Sequence, residues 1–164
     1  MLTISQNGRA LLRRVSMAAL AVGALSVAAT AANAGQCPAD KMMPNATKPV
    51  STPAKDVTDT VLGKIDLSKE KVALNDHLFR LRRLEIKPGG VVPWHSHEDR
   101  PALIYIVQGQ VVEYASNCAV PIVHKAGEVA PETSATAHWW KNTGKSTVIL
   151  LSAVILHDQS DHNM

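Results

Sequence analysis

Beyond about residue 59 the chain is built from short runs in which apolar and polar residues alternate, separated by Gly, Pro and Asn clusters. Residues 60–65 form one such run, and 77–86 a longer one in which Leu78, Leu84 and Ile86 fall on one face. Pro88-Gly89-Gly90 reads as a turn, followed by a strand over 91–97. Runs at 102–107 and 111–114 flank Gln108-Gly109 and predict a hairpin; 121–124 and 128–131 flank Gly127. A strand over 137–141, the turn Asn142-Thr143-Gly144-Lys145 and a long apolar strand over 146–156 complete the pattern. No stretch after residue 35 has a convincing helical period, apart from a turn near 68–75. Many short strands at regular spacing predict an all-β sandwich or barrel.

The two ends fall outside this pattern. Residues 1–14 carry Arg9, Arg13 and Arg14 and no acid, an Ala-rich apolar run follows, and Ala32-Asn33-Ala34 closes it. That order is expected of a secretory signal peptide cleaved after Ala34. Arg13-Arg14 leaves Sec and twin-arginine export both open. Residues 35–58, with Pro38, Pro44, Pro49 and Pro53, read as an extended linker, 59–157 as the folded domain and 158–164 as a polar tail. Such a linker buries too little apolar surface to offset its ordering entropy.

Removing the leader changes the charge balance. Of 17 basic and 14 acidic residues, three basic and no acidic ones lie in 1–34, so the remainder is 14 against 14. Neither a nucleic-acid partner nor, after cleavage, a membrane is expected. The protein is expected to be periplasmic or secreted. Cys37 and Cys118 read first as a disulfide in an oxidising compartment, with free thiols or an intermolecular bridge as alternatives.

His95 and His97, two apart on a strand, face the same side, and His138 lies on a later strand. Three neutral imidazoles around one cation leave a position open for water or substrate. Gly89, five residues, His95-Ser96-His97 and then Gly109 resembles the first cupin motif, G-x5-H-x-H-x3,4-E-x6-G. Gly127, ten residues, His138, three residues and Asn142 resembles the second, G-x5-P-x-G-x2-H-x3-N. The chain is thus identified as a member of the cupin superfamily, similar to single-domain, quercetin-dioxygenase-like cupins, over about residues 60–157. The resemblance implies a single double-stranded β-helix (jelly-roll) barrel and a divalent metal (Fe, Zn, Mn, Ni or Cu) on His95, His97 and His138. It also implies a small-molecule ligand or substrate and a homodimer.

The chain departs from the motifs at three positions. Thr133 and Ala135 replace turn residues, and Ala102 stands where the family usually has its glutamate ligand. The family includes members with three histidines and no acid. Asp99 continues the His95–His97 alternation and is the candidate extra ligand; Glu98 has the wrong parity. By parity Trp140 shares the His138 face, so Trp140 and Ala102 are the candidate pocket residues, although Trp140 would equally serve to fill the barrel end. Arg80, Arg82 and Arg83 read as a solvated strand face, one of them being able to hold a substrate carboxylate. His77 and His124 have no partner pattern and are given no role, while His157 and His162 fall in a polar C-terminus. Three functions remain open: a dioxygenase-like oxidoreductase, with Asp99 or Glu132 as its only prospective base, a non-catalytic binding module, and a zinc hydrolase or lyase.

Overall fold

A computed structural model describes residues 35–157. The leader, its cleavage point, His162 and the tail over 158–164 lie outside the described residues. Eight strands follow one another: β1 (Lys55–Asp66), β2 (Leu78–Ser96), β3 (Ala102–Gln108), β4 (Gln110–Ala115), β5 (Ile122–Lys125), β6 (Val129–Glu132), β7 (Ala137–Lys141) and β8 (Val148–Leu156). They pair in the order β5-β4-β7-β2-β8-β3-β6, with β1 added to β2, and make the nearly closed barrel of a jelly roll. Among the described residues the only helices are short 3-10 turns at Ala39–Lys41 and Leu67–Lys69.

Alternation sets the inside of the barrel. Ile104 and Ile106 of β3, Val148, Leu150, Val154 and Leu156 of β8, and Leu84 and Ile86 of β2 form one buried cluster. Residues facing one way along each strand meet in the interior, where burying each large aliphatic side chain contributes roughly 1.5–3 kcal/mol.

Three sequence expectations change. Pro88-Gly89-Gly90 does not end a strand, because the chain bulges there within one 19-residue β2. The ladder with β1 spans Lys55 to Val57 on one side and Val91 to Ile86 on the other. Backbone bonds fix the bulge to the turn after β7: Gly89 N–H donates to Asn142 O (2.9 Å) and Asn142 N–H to Gly90 O (3.0 Å). A Cβ at Gly90 would lie 2.8 Å from Lys87 O and 2.9 Å from Asp56 O, so only glycine fits.

The predicted hairpin at Gln108-Gly109 is instead a crossover. β3 pairs with β6 and β8, whereas β4 pairs with β5 and β7. Gly109 turns with φ 84°, against Thr147 and Val148, and Gly127 makes the companion corner at φ 92°. The corners are laced together by Ala126 N–H to Gly109 O (3.0 Å) and Gly127 N–H to Ile106 O (2.9 Å).

Third, β1 begins at Lys55, inside the stretch read as linker. The rest of that stretch is partly anchored: Met42 bridges to Cys118, and Ala46 N–H donates to Ser116 O (2.8 Å). Cys37 and Cys118 form a disulfide with Cα atoms 5.8 Å apart, closing 81 positions of chain. On the chain-entropy account such a loop stabilises by roughly 4 kcal/mol. The side chains of Met42 and Met43 remain exposed.

Candidate metal centre

The second half of β2 carries an irregularity that aims the histidines. Between Val92↔Trp140 and His95↔His138 the ladder with β7 shifts, three steps on β2 matching two on β7. The extra residue falls at Pro93-Trp94, where proline has no N–H to donate to a ladder. Val92 and His95 therefore both face inward despite their odd separation. His97 follows the end of β2, its N–H donating to Thr136 O at 2.9 Å. Trp139, which alternates with His138 and Trp140 on β7, is half-buried and stacks on Tyr114 (centroids 4.1 Å).

The three Nε2 atoms converge: His95 to His97 3.2 Å, His97 to His138 3.1 Å and His95 to His138 3.1 Å. Each Nδ1 is already engaged. His95 Nδ1–H donates to Pro93 O and His97 Nδ1–H to Arg100 O, both at 2.9 Å, and His138 Nδ1–H donates to Glu113 Oε1 at 2.6 Å. The Nε2 atoms accordingly carry lone pairs that face one another, and three acceptors cannot satisfy one another. A cation at ordinary metal–imidazole distance would hold its nitrogens roughly 2.9 Å (cis octahedral) to 3.3 Å (tetrahedral) apart, which brackets the observed spacing. Burial first, and then the neighbouring His138, lowers His95 to about 2 and His97 to about 4. Both rings are therefore neutral and ligand-competent at neutral pH.

The trio opens on a small cavity of about 20 Å³, enough for a water or two. Its wall is mostly apolar, with Leu84, Val92, Ile104, Leu150 and Trp140, and the polar exceptions besides the histidines are Arg82 and Ser152. Trp140 thus lines the pocket; its indole N–H donates edge-on to the His138 ring (centroids 5.5 Å, 89°), 3.1 Å from Nδ1 and 3.2 Å from Nε2, so His138 Nε2 is the one of the three with a donor nearby. Ala102 does not line it. β3 turns Ala102, Ile104 and Ile106 inward, and Ala102 packs in the core opposite Glu132 rather than on the cavity wall. Asp99 is no part of the convergent set: β2 ends at Ser96 and Asp99 lies exposed in the bend beyond it, as does Glu98.

The arginines depart from the expectation of a solvated face. Arg80 and Arg82 alternate with Leu78, Leu84 and Ile86 on the buried side, while Arg83 is half-buried and pairs with Glu85. Arg82 is 5% exposed and its Nη1 pairs with Asp59 of β1 at 2.5 Å. Burial lowers its pKa, and Asp59 partly offsets the shift. Its Nε is buried without a hydrogen-bond partner among the described residues.

Sequence reasoning missed what stands behind His138. Glu113 also accepts from His124 Nε2–H at 2.7 Å, and Glu132 Oε2 lies 3.5 Å from His138 Nδ1. Burial pushes the Glu113 carboxyl up, but the bonds from His124 and His138 outweigh it and hold it low; Glu132 is pushed up by burial and by the charge of Glu113. The missed signal was parity: Val111, Glu113 and Ala115 share the inward face of β4, as Ile122 and His124 do on β5. His77 stacks on His157 (4.4 Å), away from this group.

Comparison with known proteins places this architecture. The Cupin_2 family, described as "Cupin domain", matches residues 82–154. A Thermotoga maritima protein named oxalate-binding protein is 36% identical over 90 residues, 55% of this chain and 71% of the relative. The chain belongs to the cupin family. This cupin is also 32% identical over 89 residues to germin-like protein subfamily 2 member 2 of Arabidopsis thaliana, covering 51% of the chain and 40% of that relative. In fold it matches the crystal structure of a predicted oxalate decarboxylase of Thermotoga maritima, with TM-score 0.51 and 24% identity over 74% of this chain and 98% of that one. A double-stranded β-helix protein from Klebsiella pneumoniae, of uncharacterised function, matches with TM-score 0.50 and 18% identity over 68% and 84%.

Proposed function

We propose that this cupin is an exported, metal-dependent protein that takes a small carboxylate-bearing molecule at the three-histidine site and oxidises it in a dioxygenase-like reaction. The observation that carries the reading is the convergence of three Nε2 lone pairs on a cavity that also holds the Arg82 guanidinium. The donor set fits a divalent cation of borderline softness, with His95, His97 and His138 as its ligands. Such a cation, when bound, would act as a Lewis acid toward ligand oxygen and, if redox-active, would support oxidation by dioxygen.

The protein's own residues do the rest. Arg82 places a buried positive charge opposite the ligand's carboxylate, and its unpartnered Nε–H is a donor for it. Leu84, Val92, Ile104 and Leu150 exclude bulk water, which strengthens that interaction. The small volume admits only one end of a small ligand, such as a single carboxylate group, and one relative is named oxalate-binding protein. Export rests on the leader pattern and on the Cys37–Cys118 disulfide, a bond typical of oxidising compartments. Pairing with a second copy is favoured by the exposed Val61, Leu62 and Ile65 of the edge strand β1.

Binding without turnover is the second reading, favoured because no carboxylate is among the cavity's lining residues: Glu113 and Glu132 lie behind His138. The test is metal analysis of protein purified from its own compartment, followed by oxygen uptake with oxalate and other small carboxylates. Iron or manganese with uptake that Arg82→Met abolishes supports oxidation. Tight carboxylate binding without uptake leaves the binding module. Zinc with hydrolytic activity and no carboxylate affinity overturns both.

A further inference from the structure

Ala102 leaves the front of the metal centre without the carboxylate that the motif normally places there. The rear is different. Glu113, His124 and His138 are 3%, 0% and 1% exposed, and Glu113 accepts with both oxygens, from His138 Nδ1–H at 2.6 Å and from His124 Nε2–H at 2.7 Å. Three strands build the chain of contacts: β4 sets Glu113 opposite Trp140 of β7, and β5 sets His124 opposite Val111 of β4. Trp140 lies flat on the His124 ring (4.7 Å, 16°) and edge-on to His138, so both imidazoles are held in plane and rotation. The other two ligands rest on backbone carbonyls, so His138 is the one histidine of the three with an anion hydrogen-bonded to its Nδ1.

We propose that Glu113, held by His124, is the positioning residue of the metal centre and supplies from behind His138 the negative charge that no side chain supplies from the front. This rests on the three-histidine cation site proposed above. A carboxylate accepting from Nδ1–H fixes the tautomer, aims Nε2 and makes that nitrogen a stronger donor. His138 becomes the anchoring ligand, and the open face of the cation stays free for a substrate, which an inner carboxylate would partly occupy. Glu113 touches neither cation nor substrate; it acts through His138.

The test uses the purified protein stripped of metal and titrated with Co²⁺, whose affinity is read by chelator competition and whose ligand field is read by visible absorption. Glu113→Gln turns an amide N–H₂ toward one of two N–H donors and forces a tautomer change. It is expected to lower affinity roughly 10–100-fold and to shift the absorption bands. His124→Phe keeps the stack on Trp140 while removing one donor, and is expected to shift the bands in the same direction with a smaller loss. Glu98→Gln, at an exposed position outside the centre, leaves both unchanged. A folded Glu113→Gln protein with wild-type affinity and bands overturns the inference, as does weakened binding with unaltered bands. If Glu113→Gln does not fold, His124→Phe decides by the same criterion. His138→Ala separates the two readings: if it binds Co²⁺ as tightly as wild type, the site itself is wrong, whereas loss there with no change at Glu113 removes only the positioning role.

Discussion

The two halves of β2 do different work. Leu78–Ile86 pairs without interruption with β8, alternates cleanly between buried and outer positions, and carries Leu78, Leu84 and Ile86 into the core with Arg80 and Arg82 between them, Arg82 reaching the cavity wall. Val91–Ser96 pairs with β7, slips register once, and carries His95 to the cavity. The regular half holds the barrel together, and the irregular half gives up ladder bonds to aim a side chain. Bulges cost pairing but redirect residues, which is why they recur beside sites. Both halves belong to one strand because Gly90 lets the backbone pass between Lys87 O and Asp56 O.

That division can be broken from either side. Ile86→Ala, at a position with 0% exposure, is expected to cost about 2–5 kcal/mol in urea unfolding while leaving the cation affinity of the folded protein unchanged. His95→Ala should do the reverse: cation affinity falls by more than about 100-fold, beyond the effect of losing an outer hydrogen-bond partner, with little change in metal-free stability. Gly90→Ala strikes the junction, where the added methyl meets backbone that cannot move aside, and is expected to cost about 1–3 kcal/mol. Loss of stability without the β2–β7 slip being disturbed would show that the two halves are independent.

A pH dependence follows from the ligands at the end of β2 and just beyond it. His97 is held at about 4 in the fold against an ordinary value near 6.5 in the unfolded chain. Between those values the unfolded chain takes up a proton that the folded one refuses, so stability rises with pH across the window and is lost on acidification. His95, held at about 2, extends the loss to lower pH. Glu132, raised to about 9 and so protonated in the fold, works the other way between about 4.5 and 9. The histidine part is therefore read as a difference: below about pH 6.5 the unfolding midpoint of metal-free protein should fall less in His97→Leu than in the wild type, and Ile86→Ala should leave the shape of the profile unmoved.

Much of this was legible from residue order. Alternation gave the β class, and the spacing of Gly89, His95, His97, Gly109, Gly127, His138 and Asn142 gave the family. Asn142 shows why such spacing is informative: its side-chain amide donates to Ile86 O and Ser146 O, both at 2.8 Å, locking the β7–β8 turn against β2. Other features were not legible. Alternation cannot distinguish a hairpin from a crossover, so Gln108-Gly109 read as the former. Nor does it reveal that Arg82, charged and therefore assigned to solvent, faces inward with Asp59 of β1 as its partner.

The sequence by itself determined an alternating all-β chain and a set of histidines able to face one way, because side-chain parity is a local property of the strand. Only the tertiary structure decided which strands pair, that Asp99 is left outside, and that Glu113 and His124 stand behind His138. Those outcomes depend on register between segments distant in the chain, and register is set by how the buried faces fit together.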